Sequence, residues 1–438
     1  MKKFFTTIKN IFSIEDLRVR ILNTIGFLII FRLGSFIVLP GVDPDALGQG
    51  AQGGIFDLLN TFLGGSFSRA SIFALGIMPY ISASIVIQLM TFAVPYFQKL
   101  QKEGESGRKK LNQITRVLTI AVTLAQSFGY IATTIPTEAI YNPGFFFQAS
   151  SMIILVSGTM FCMWLGEKIT DKGIGNGISM LIMIGIISRF PSSLYVEIFQ
   201  DKGLQGALLS IIEILALFFV VMAVVMLTQA TRRIPVQYAK QVVGNKVYGG
   251  QRQYIPLKVN SSGVMPIIFA QALMFLPPMI ANIWADSDIA NYVGTTFADY
   301  TSWQYNLLFG VLILAFTFFY TAITVNPGNI ADDLKRNGGF IPGIKPGKQT
   351  SEFIDNVLTR ITLPGSIFLA IVAVLPAFAV KAGVTPTFSQ FFGGTSLLIM
   401  VGVILDTLQQ IESYLLMRHY EGMMKSGKVK GRSQVAVA

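Results

Sequence analysis

The stretch ASIFALGIMPYISASIVIQLMTFAVPYFQ, which runs from Ala70 to Gln98, contains no Asp, Glu, Lys or Arg. A membrane-spanning α-helix needs about 20 consecutive apolar residues, so this stretch is long enough to cross a lipid bilayer. The stretch therefore predicts a transmembrane helix, and similar stretches recur along the chain.

Eight further runs of at least 16 residues lack charged side chains, and another is interrupted only by Arg32. Charged residues make up 13% of the 438-residue chain, against about 25% in a soluble protein. We therefore predict an all-α, polytopic membrane protein with ten transmembrane helices, and this excludes an ordinary cytosolic enzyme. The further runs are 21–42 (with Arg32), 117–137, 139–166, 173–188, 214–231, 259–285, 300–331, 361–380 and 382–405.

Basic residues set the predicted orientation, because Lys and Arg are concentrated on the cytoplasmic side of membrane proteins. A cytoplasmic N-terminus places 29 of the 34 Lys and Arg residues inside, and ten helices bring the C-terminal tail 417–438 to the same side. Residues 1–20 mix basic and apolar side chains, which predicts an amphipathic segment on the membrane surface rather than a cleavable signal peptide. The basic inner face could attract anionic phospholipid, ribosomal RNA or an acidic protein.

Two cytoplasmic loops are long enough to hold structure of their own. Loop 232–258 contains extended stretches on either side of Gly244-Asn245, which predicts a β-hairpin. Loop 326–359 is rich in Pro and Gly and is predicted to be a structured, protruding loop. Such loops are where partners commonly dock.

The outer segment 41–69 contains a short apolar stretch, Ile55–Leu63, with a Gly-Gly pair on each side. It is too short to span a bilayer, so it is either an interfacial helix or a re-entrant one buried in protein. Ten helices also divide into two sets of five, and an odd-numbered repeat places its second copy inverted in the membrane.

Residues that commonly form catalytic or metal-binding sites are scarce in this sequence. Cys162 is the single cysteine and His419 the single histidine, and no GxxxxGK[ST] motif is present. We therefore expect no catalytic set, no metal site and no cofactor. A secondary transporter of small solutes remains the alternative, although a coupled transporter usually carries acidic residues near the membrane midplane, and Asp406 is the one candidate.

Some uncharged side chains within the spans share a helix face. Ile77 and Ile81, like Ile178 and Ile182, are four residues apart, which is compatible with simple core or lipid packing. Polar side chains follow on the same or neighbouring spans, where they indicate either interhelical hydrogen bonds or a water-lined path. These polar residues are Ser84, Gln88, Gln271 and Asn326.

Several longer motifs occur in order along nearly the whole chain, from the first predicted helix to the tenth. The motifs are Phe31–Phe36 (FRLGSF), Phe67–Ser84 (FSRASIFALGIMPYISAS), Glu103–Arg108 (EGESGR), Gly173–Ser179 (GIGNGIS), Pro256–Asn260 (PLKVN) and Phe392–Leu398 (FGGTSLL). Together, in this order, they resemble the SecY family of protein-translocase channel subunits.

The resemblance implies two inverted five-helix halves, 21–195 and 196–416, around an hourglass pore. It makes the segment 55–66 a plug, with Ile55, Phe56, Leu58, Leu59, Phe62 and Leu63 as its apolar residues. A ring of branched apolar side chains would dewet the narrowest point and so resist ion leakage. The resemblance assigns that ring to Ile77, Ile81, Ile178, Ile182, Ile268 and Ile399.

The resemblance also implies a lateral gate between the helix expected to start at Ala70 and the one expected to start at Ser261, with Ser82, Gln88 and Gln271 as gate residues. It implies partners: the small membrane subunits SecE and SecG, the motor ATPase SecA, the ribosome, signal peptides, nascent chains and phospholipid. Loops 232–258 and 326–359 would bind the motor or the ribosome through Arg232, Arg233, Arg252 and Lys345. The family usually has Arg-Pro-Gly where this chain has Lys345-Pro-Gly, and lysine lacks the planar guanidinium fork. The implied location is the bacterial cytoplasmic (inner) membrane.

Overall fold

The computed structural model describes residues 14–47, 60, 63–199, 203–238, 241–243, 246–248, 252–274, 277 and 288–425. Most of these residues are helical, as the sequence predicts. The helices are α1 (Glu15–Gly34), α2 (Met78–Ala93), α3 (Pro95–Lys102), α4 (Glu105–Thr134), α5 (Phe145–Lys172), α6 (Gly177–Phe199), α7 (Gly203–Gln229), α8 (Met265–Met274), α9 (Asp288–Ala298), α10 (Trp303–Thr324), α11 (Pro327–Arg336), α12 (Lys348–Lys381), α13 (Pro386–Ser389) and α14 (Gly394–Lys425).

Seven helical segments of the described chain are long and apolar enough to cross a membrane, and the bent pair α2–α3 makes a possible eighth. The pair bends by 96° because Val94 is extended ahead of Pro95. Helix α1 carries five charged residues and α8 is ten residues long, so neither is counted among these segments. The count of ten transmembrane helices stays a prediction.

Two predicted helix starts are wrong. The helix expected from Ala70 begins at Met78, because residues 63–77 form an irregular stretch in which Ala70 and Gly76 both have positive φ. The helix expected from Ser261 begins at Met265.

The chain forms two compact units, one of residues 1–189 and 403–438 and the other of residues 190–402. The boundary lies before the expected division at 195/196, and the latter part of α14 belongs to the first unit. One reason is a hydrogen bond in which the Gly175 N–H donates to Gln410 Oε1 at 2.8 Å, which ties that part of α14 to the turn before α6.

In the first unit, the irregular stretch 63–77 is held by long-range backbone contacts. The Leu39 N–H donates to the Ala70 carbonyl at 2.8 Å, and the Ile72 N–H donates to the Ile37 carbonyl at 2.9 Å. The buried Tyr130 hydroxyl of α4 donates to the Phe67 carbonyl at 2.6 Å. These bonds replace the helical ones that the backbone of this buried stretch lacks.

In the second unit, α10 packs against both α8 and α12. The unit also contains a three-stranded antiparallel sheet in the order β4-β1-β5, and a separate two-stranded ladder continues the hairpin. The strands are β1 (Thr231–Tyr238), β2 (Gln241–Val243), β3 (Lys246–Tyr248), β4 (Arg252–Lys258) and β5 (Gly339–Phe340).

Candidate functional site

Four of the predicted ring isoleucines lie on two helices of the first unit. Ile77 immediately precedes α2, and the Ile81 N–H donates to its carbonyl at 3.1 Å, so the two side chains are one turn apart. Ile178 and Ile182 occupy the first two turns of α6. A Cβ built on Gly166 of α5 would lie 3.0 Å from Ile178 Cγ1, so this side chain packs closely against α5.

The other two ring residues lie in the second unit, Ile268 on α8 and Ile399 on α14. Ile399 is buried, whereas Ile268 is partly exposed. The closure of all six side chains into one ring stays a prediction.

The C-terminal end of the predicted plug lies beside the first ring residue. Leu63 is buried, and its Cδ2 atom is 2.6 Å from where a Cβ on Gly76 would lie, next to Ile77 in the chain. Glycine at 76 leaves the space that Leu63 occupies. The plug residues Ile55, Phe56, Leu58, Leu59 and Phe62 lie outside the described residues.

Two arginines hold the backbone at the C-terminal end of the predicted plug segment. Arg69 Nη2 donates to the Gly64 carbonyl at 2.8 Å, and its Nε donates to the Gly65 carbonyl at 3.0 Å. Arg32 Nη1 donates to the Gly64 carbonyl at 3.4 Å. Both guanidinium groups lie over the Phe36 ring, with Arg69 4.2 Å from its centroid. We name this cluster the arginine clamp.

The clamp can grip these carbonyls because Gly64 and Gly65 both have positive φ, a conformation that glycine adopts without strain. A Cβ at position 64 would lie 2.6 Å from Arg32 Nη1 and 2.9 Å from the Gly185 carbonyl oxygen, so a larger residue does not fit. Burial lowers the pKa of the Arg69 guanidinium, but arginine stays protonated at physiological pH. Sequence reasoning missed the clamp, although an arginine interrupting a charge-free run and another beside a Gly-Gly pair were visible signals.

The predicted gate residues differ in how their polar groups are used. The Ser82 hydroxyl donates to the Met78 carbonyl of its own helix at 3.2 Å. The Gln88 carbonyl accepts from the Thr91 hydroxyl at 2.6 Å. Gln271 reaches another helix, because its Oε1 accepts from the Thr395 hydroxyl at 2.6 Å. The gate assignment itself stays a prediction.

The glycine-rich motif at 173–177 is a tightly packed turn between α5 and α6. A Cβ on Gly177 would lie 1.9 Å from the Gly166 carbonyl oxygen. Asn176 Oδ1 accepts from the N–H groups of Ile178 and Ser179, at 3.1 and 3.3 Å, and so caps the start of α6. The glycines therefore serve close packing in this turn.

The hairpin predicted in loop 232–258 is confirmed. Strands β1 and β4 pair from Thr231↔Lys258 to Gln237↔Arg252, and β2 and β3 continue in the same register from Gln241↔Tyr248 to Val243↔Lys246. The connecting residues 244 and 245 lie outside the described residues.

Loops 232–258 and 326–359 pack into one structure, which we name the platform (231–258 with 327–358). Strand β5 pairs with β1, and a buried apolar cluster joins strands β1 and β4 to helices α11 and α12. The members of the cluster are Ile234, Val236, Leu257, Leu334, Ile341, Ile354 and Leu358. Loop 326–359 is thus structured as predicted, with helix α11 as an addition that the sequence interpretation did not include.

The predicted docking residues lie at different places on the platform. Arg232 and Arg233 are exposed near the start of β1. Arg252 pairs with Gln237, which lies five residues after Arg232 on β1, or about 16 Å along the strand. Lys345 is exposed, and its carbonyl accepts from the buried Thr350 hydroxyl at 2.9 Å, which fixes the loop that presents it. The structure therefore offers separate basic positions rather than one arginine cluster.

Two observations concern residue types that bind metals or act as nucleophiles. No group of three or more His, Cys, Asp or Glu side chains lies close enough there to hold a metal ion. Cys162 is fully buried in α5.

The SecY family profile matches residues 71–408. The protein translocase subunit SecY of Halalkalibacterium halodurans is 46% identical over 96% of this chain and all of its own length. SecY of Escherichia coli K12 is 44% identical, covering 96% of each chain, and SecY of Streptomyces coelicolor is 42% identical, covering 96% of this chain and all of its own.

Solved structures agree in fold. One described as the structure of a protein conducting channel aligns with a TM-score of 0.60 at 16% identity, covering 90% of this chain and 92% of its own. Another, on the plug domain of the SecY protein, aligns with a TM-score of 0.58 at 17% sequence identity, covering 90% of this chain and 92% of its own. Sec61 in a canine ribosome–channel complex aligns with a TM-score of 0.57 at 16% sequence identity, with the same coverage of each chain. On these matches over nearly its whole length, the chain belongs to the SecY family of protein translocase subunits.

Proposed function

We propose that this chain is the protein-conducting channel subunit of a bacterial Sec translocase. The observation that carries the proposal is the similarity to SecY subunits over 96% of the chain. The channel is passive, because the sequence has no P-loop and energy must come from a partner.

The ring seals the resting pore by exclusion of water. Ile77, Ile81, Ile178, Ile182, Ile268 and Ile399 present branched apolar side chains, which make no hydrogen bonds to water or ions. The same chemistry lets a polypeptide of any sequence pass without being held by specific hydrogen bonds. Plug residues 55–66 cover the ring from the outer side, and Leu63 beside Gly76 supports this placement.

The lateral gate releases apolar segments into the lipid. Ser82, Gln88 and Gln271 line it, and a nascent apolar helix leaves the channel because burial in lipid stabilises it by about 0.8 kcal/mol per CH₂ group. Signal peptides open the gate in the same way, because their apolar segments move from the channel into the lipid.

The platform faces the cytoplasm and is the docking surface for SecA or the ribosome. Exposed Arg232 and Arg233 on a rigid hairpin suit ribosomal phosphates or an acidic protein surface. Lys345 provides a further contact, without the bidentate geometry of arginine. SecE and SecG complete the complex in the bacterial cytoplasmic (inner) membrane. Both termini of the chain face the cytoplasm. Anionic phospholipid contacts the basic cytoplasmic face. The chain itself catalyses no reaction, and no comparison supports a transporter of small solutes.

Ion conductance in planar bilayers tests this function. The intact chain, assembled with SecE and SecG, is compared with a variant that lacks residues 55–66. We expect a quiet intact channel and an ion leak after the deletion. Silence from both, together with transport of a small solute, would contradict the proposal.

A further inference from the structure

In the second unit, α8 and the first part of α14 (394–402) each carry one proposed ring residue, and they meet at two points. At the first point, the Thr395 hydroxyl donates to Gln271 Oε1 at 2.6 Å. At the second, Gly402 lies beside Val264, the residue before α8: a Cβ placed on Gly402 would lie 3.7 Å from Val264 Cγ2, so the space there is just large enough for a methyl group. Thr395 is buried, with 6% of its surface exposed.

The two contacts define one antiparallel register. Val264 and Gln271 are seven residues apart along the chain, as are Thr395 and Gly402, and seven residues are about two turns of α-helix. The contacts therefore lie about 10 Å apart along both helices, with the chain directions opposed. A shift of either helix by one turn would break both contacts at once.

The ring residues lie between these contacts. Ile268 comes four residues after Val264 and three before Gln271, and Ile399 comes four residues after Thr395 and three before Gly402. In the antiparallel register, the two isoleucines are therefore offset by one residue, or about 1.5 Å along the helix axes. The spacing puts both side chains in the same layer.

The Thr395 hydroxyl is available for this contact because of its place in the helix. Threonines in helix interiors donate back to their own helix, as Thr317 does to Ile313 at 2.7 Å and Thr407 does to Val403 at 2.6 Å. Thr395 is the second residue of α14 and follows Gly394, whose φ is positive, so no preceding helical turn offers it a carbonyl. Its hydroxyl reaches Gln271 on α8 instead.

We propose that the Thr395–Gln271 hydrogen bond and the Val264–Gly402 contact form a register lock that holds Ile268 and Ile399 at one level of the pore. Thr395 is a positioning residue in this lock, acting through the ring isoleucines. The inference rests on the proposed channel function, since it explains how two ring residues are kept in the same layer.

Three variants of the complex with SecE and SecG test the lock through idle ion conductance. Thr395→Val removes the hydroxyl and keeps the shape, and we expect it to raise the idle conductance about fivefold, the ratio expected for the loss of one neutral hydrogen bond. Thr395→Ser keeps the hydroxyl and should stay within about twofold of the unaltered complex. If Thr395→Val does not assemble, Gln271→Met removes the acceptor instead and should produce the same rise.

A disulfide supplies the rescue. The Thr395→Val variant also receives Val264→Cys and Gly402→Cys. Oxidation of the two cysteines to a disulfide should restore the register and return the idle conductance to its low value. Reduction of the disulfide should raise the conductance again. A Thr395→Val channel as quiet as the unaltered one overturns the lock, provided that Ile399→Ser leaks. A silent Ile399→Ser channel would contradict the proposed ring instead. The lock is then judged by the rate at which the two introduced cysteines form their disulfide, and equal rates with and without Thr395→Val overturn it.

Discussion

Replacing Arg69 with leucine should open the resting channel, because it removes the main hydrogen bonds by which the arginine clamp holds the C-terminal end of the plug segment. Arg69 makes two hydrogen bonds, to the Gly64 and Gly65 carbonyls, and stacks on Phe36. Leucine fills part of the same space but makes none of these polar contacts.

The size of the effect follows from these contacts. A hydrogen bond to a charged donor contributes about 1.5–3 kcal/mol, and the low end applies because Arg69 is only partly buried. The cation–π contact at an exposed site adds about 0.5–1 kcal/mol. The nearby Arg32 guanidinium offsets part of this sum, because like charges repel. A net loss of about 2 kcal/mol remains, and this corresponds to about a 30-fold shift away from the clamped arrangement.

Idle ion conductance of the complex with SecE and SecG measures this shift. Arg69→Leu should raise the conductance by up to about 30-fold, and Arg69→Lys should give an intermediate value, because lysine keeps the charge and loses the planar guanidinium group. The same substitution is then made in the variant without residues 55–66. If Arg69→Leu raises the conductance by the same factor there, it does not act through the plug, and the reasoning is refuted.

Four further predictions concern the ring, the core and the platform. Ile182→Asn should raise idle conductance, because a polar side chain lets water enter the ring; an unchanged conductance would remove Ile182 from it. Tyr130→Phe should lower the melting temperature of the complex, since the Phe67 carbonyl loses its buried partner at a cost of about 1–3 kcal/mol; an equal melting temperature would contradict this. Arg233→Glu should weaken binding of SecA or ribosomes and reduce its dependence on salt, with Arg233→Lys as the charge-matched control; unaltered affinity at low salt would place docking elsewhere. Lys345→Arg should strengthen coupling to SecA, measured as precursor translocated per ATP hydrolysed, because arginine regains bidentate hydrogen bonding; a lower ratio would count against this contact.

The membrane class and the hairpin were predictable because local sequence determines them. Charge-free runs of sufficient length leave the backbone no stable alternative to helix in lipid. The extended stretches on either side of Gly244-Asn245 pair in one register, as turn chemistry predicts.

The irregular stretch 63–77 could not be predicted in the same way. Residues 70–77 belong to the same charge-free run as the helix that follows, and the path of the stretch depends on hydrogen bonds to Leu39, Ile37 and Tyr130, which are distant in sequence. The signals for a break, Gly76 and Pro79, were present, but no local pattern says which distant groups satisfy the backbone.

The functional residues also fall into two groups, those that the sequence could indicate and those that depend on contacts between distant residues. The resemblance supplied the predicted ring, plug and gate positions, of which Ile77, Ile81 and Ile178 lie within the quoted motifs. The arginine clamp and the register lock depend on pairings such as Thr395 with Gln271, which are 124 residues apart. Only the fold brings such pairs together.

The central claim is that this chain conducts polypeptides, and translocation into sealed vesicles tests it most directly. The chain is reconstituted with SecE and SecG, and SecA, ATP and a radiolabelled secretory precursor are added outside. The account predicts precursor that becomes protease-protected only when the chain and ATP are both present, and that stays exposed when the mature domain is fused to a tightly folded block. Vesicles that protect no precursor, although the complex is assembled and binds SecA, would contradict the account.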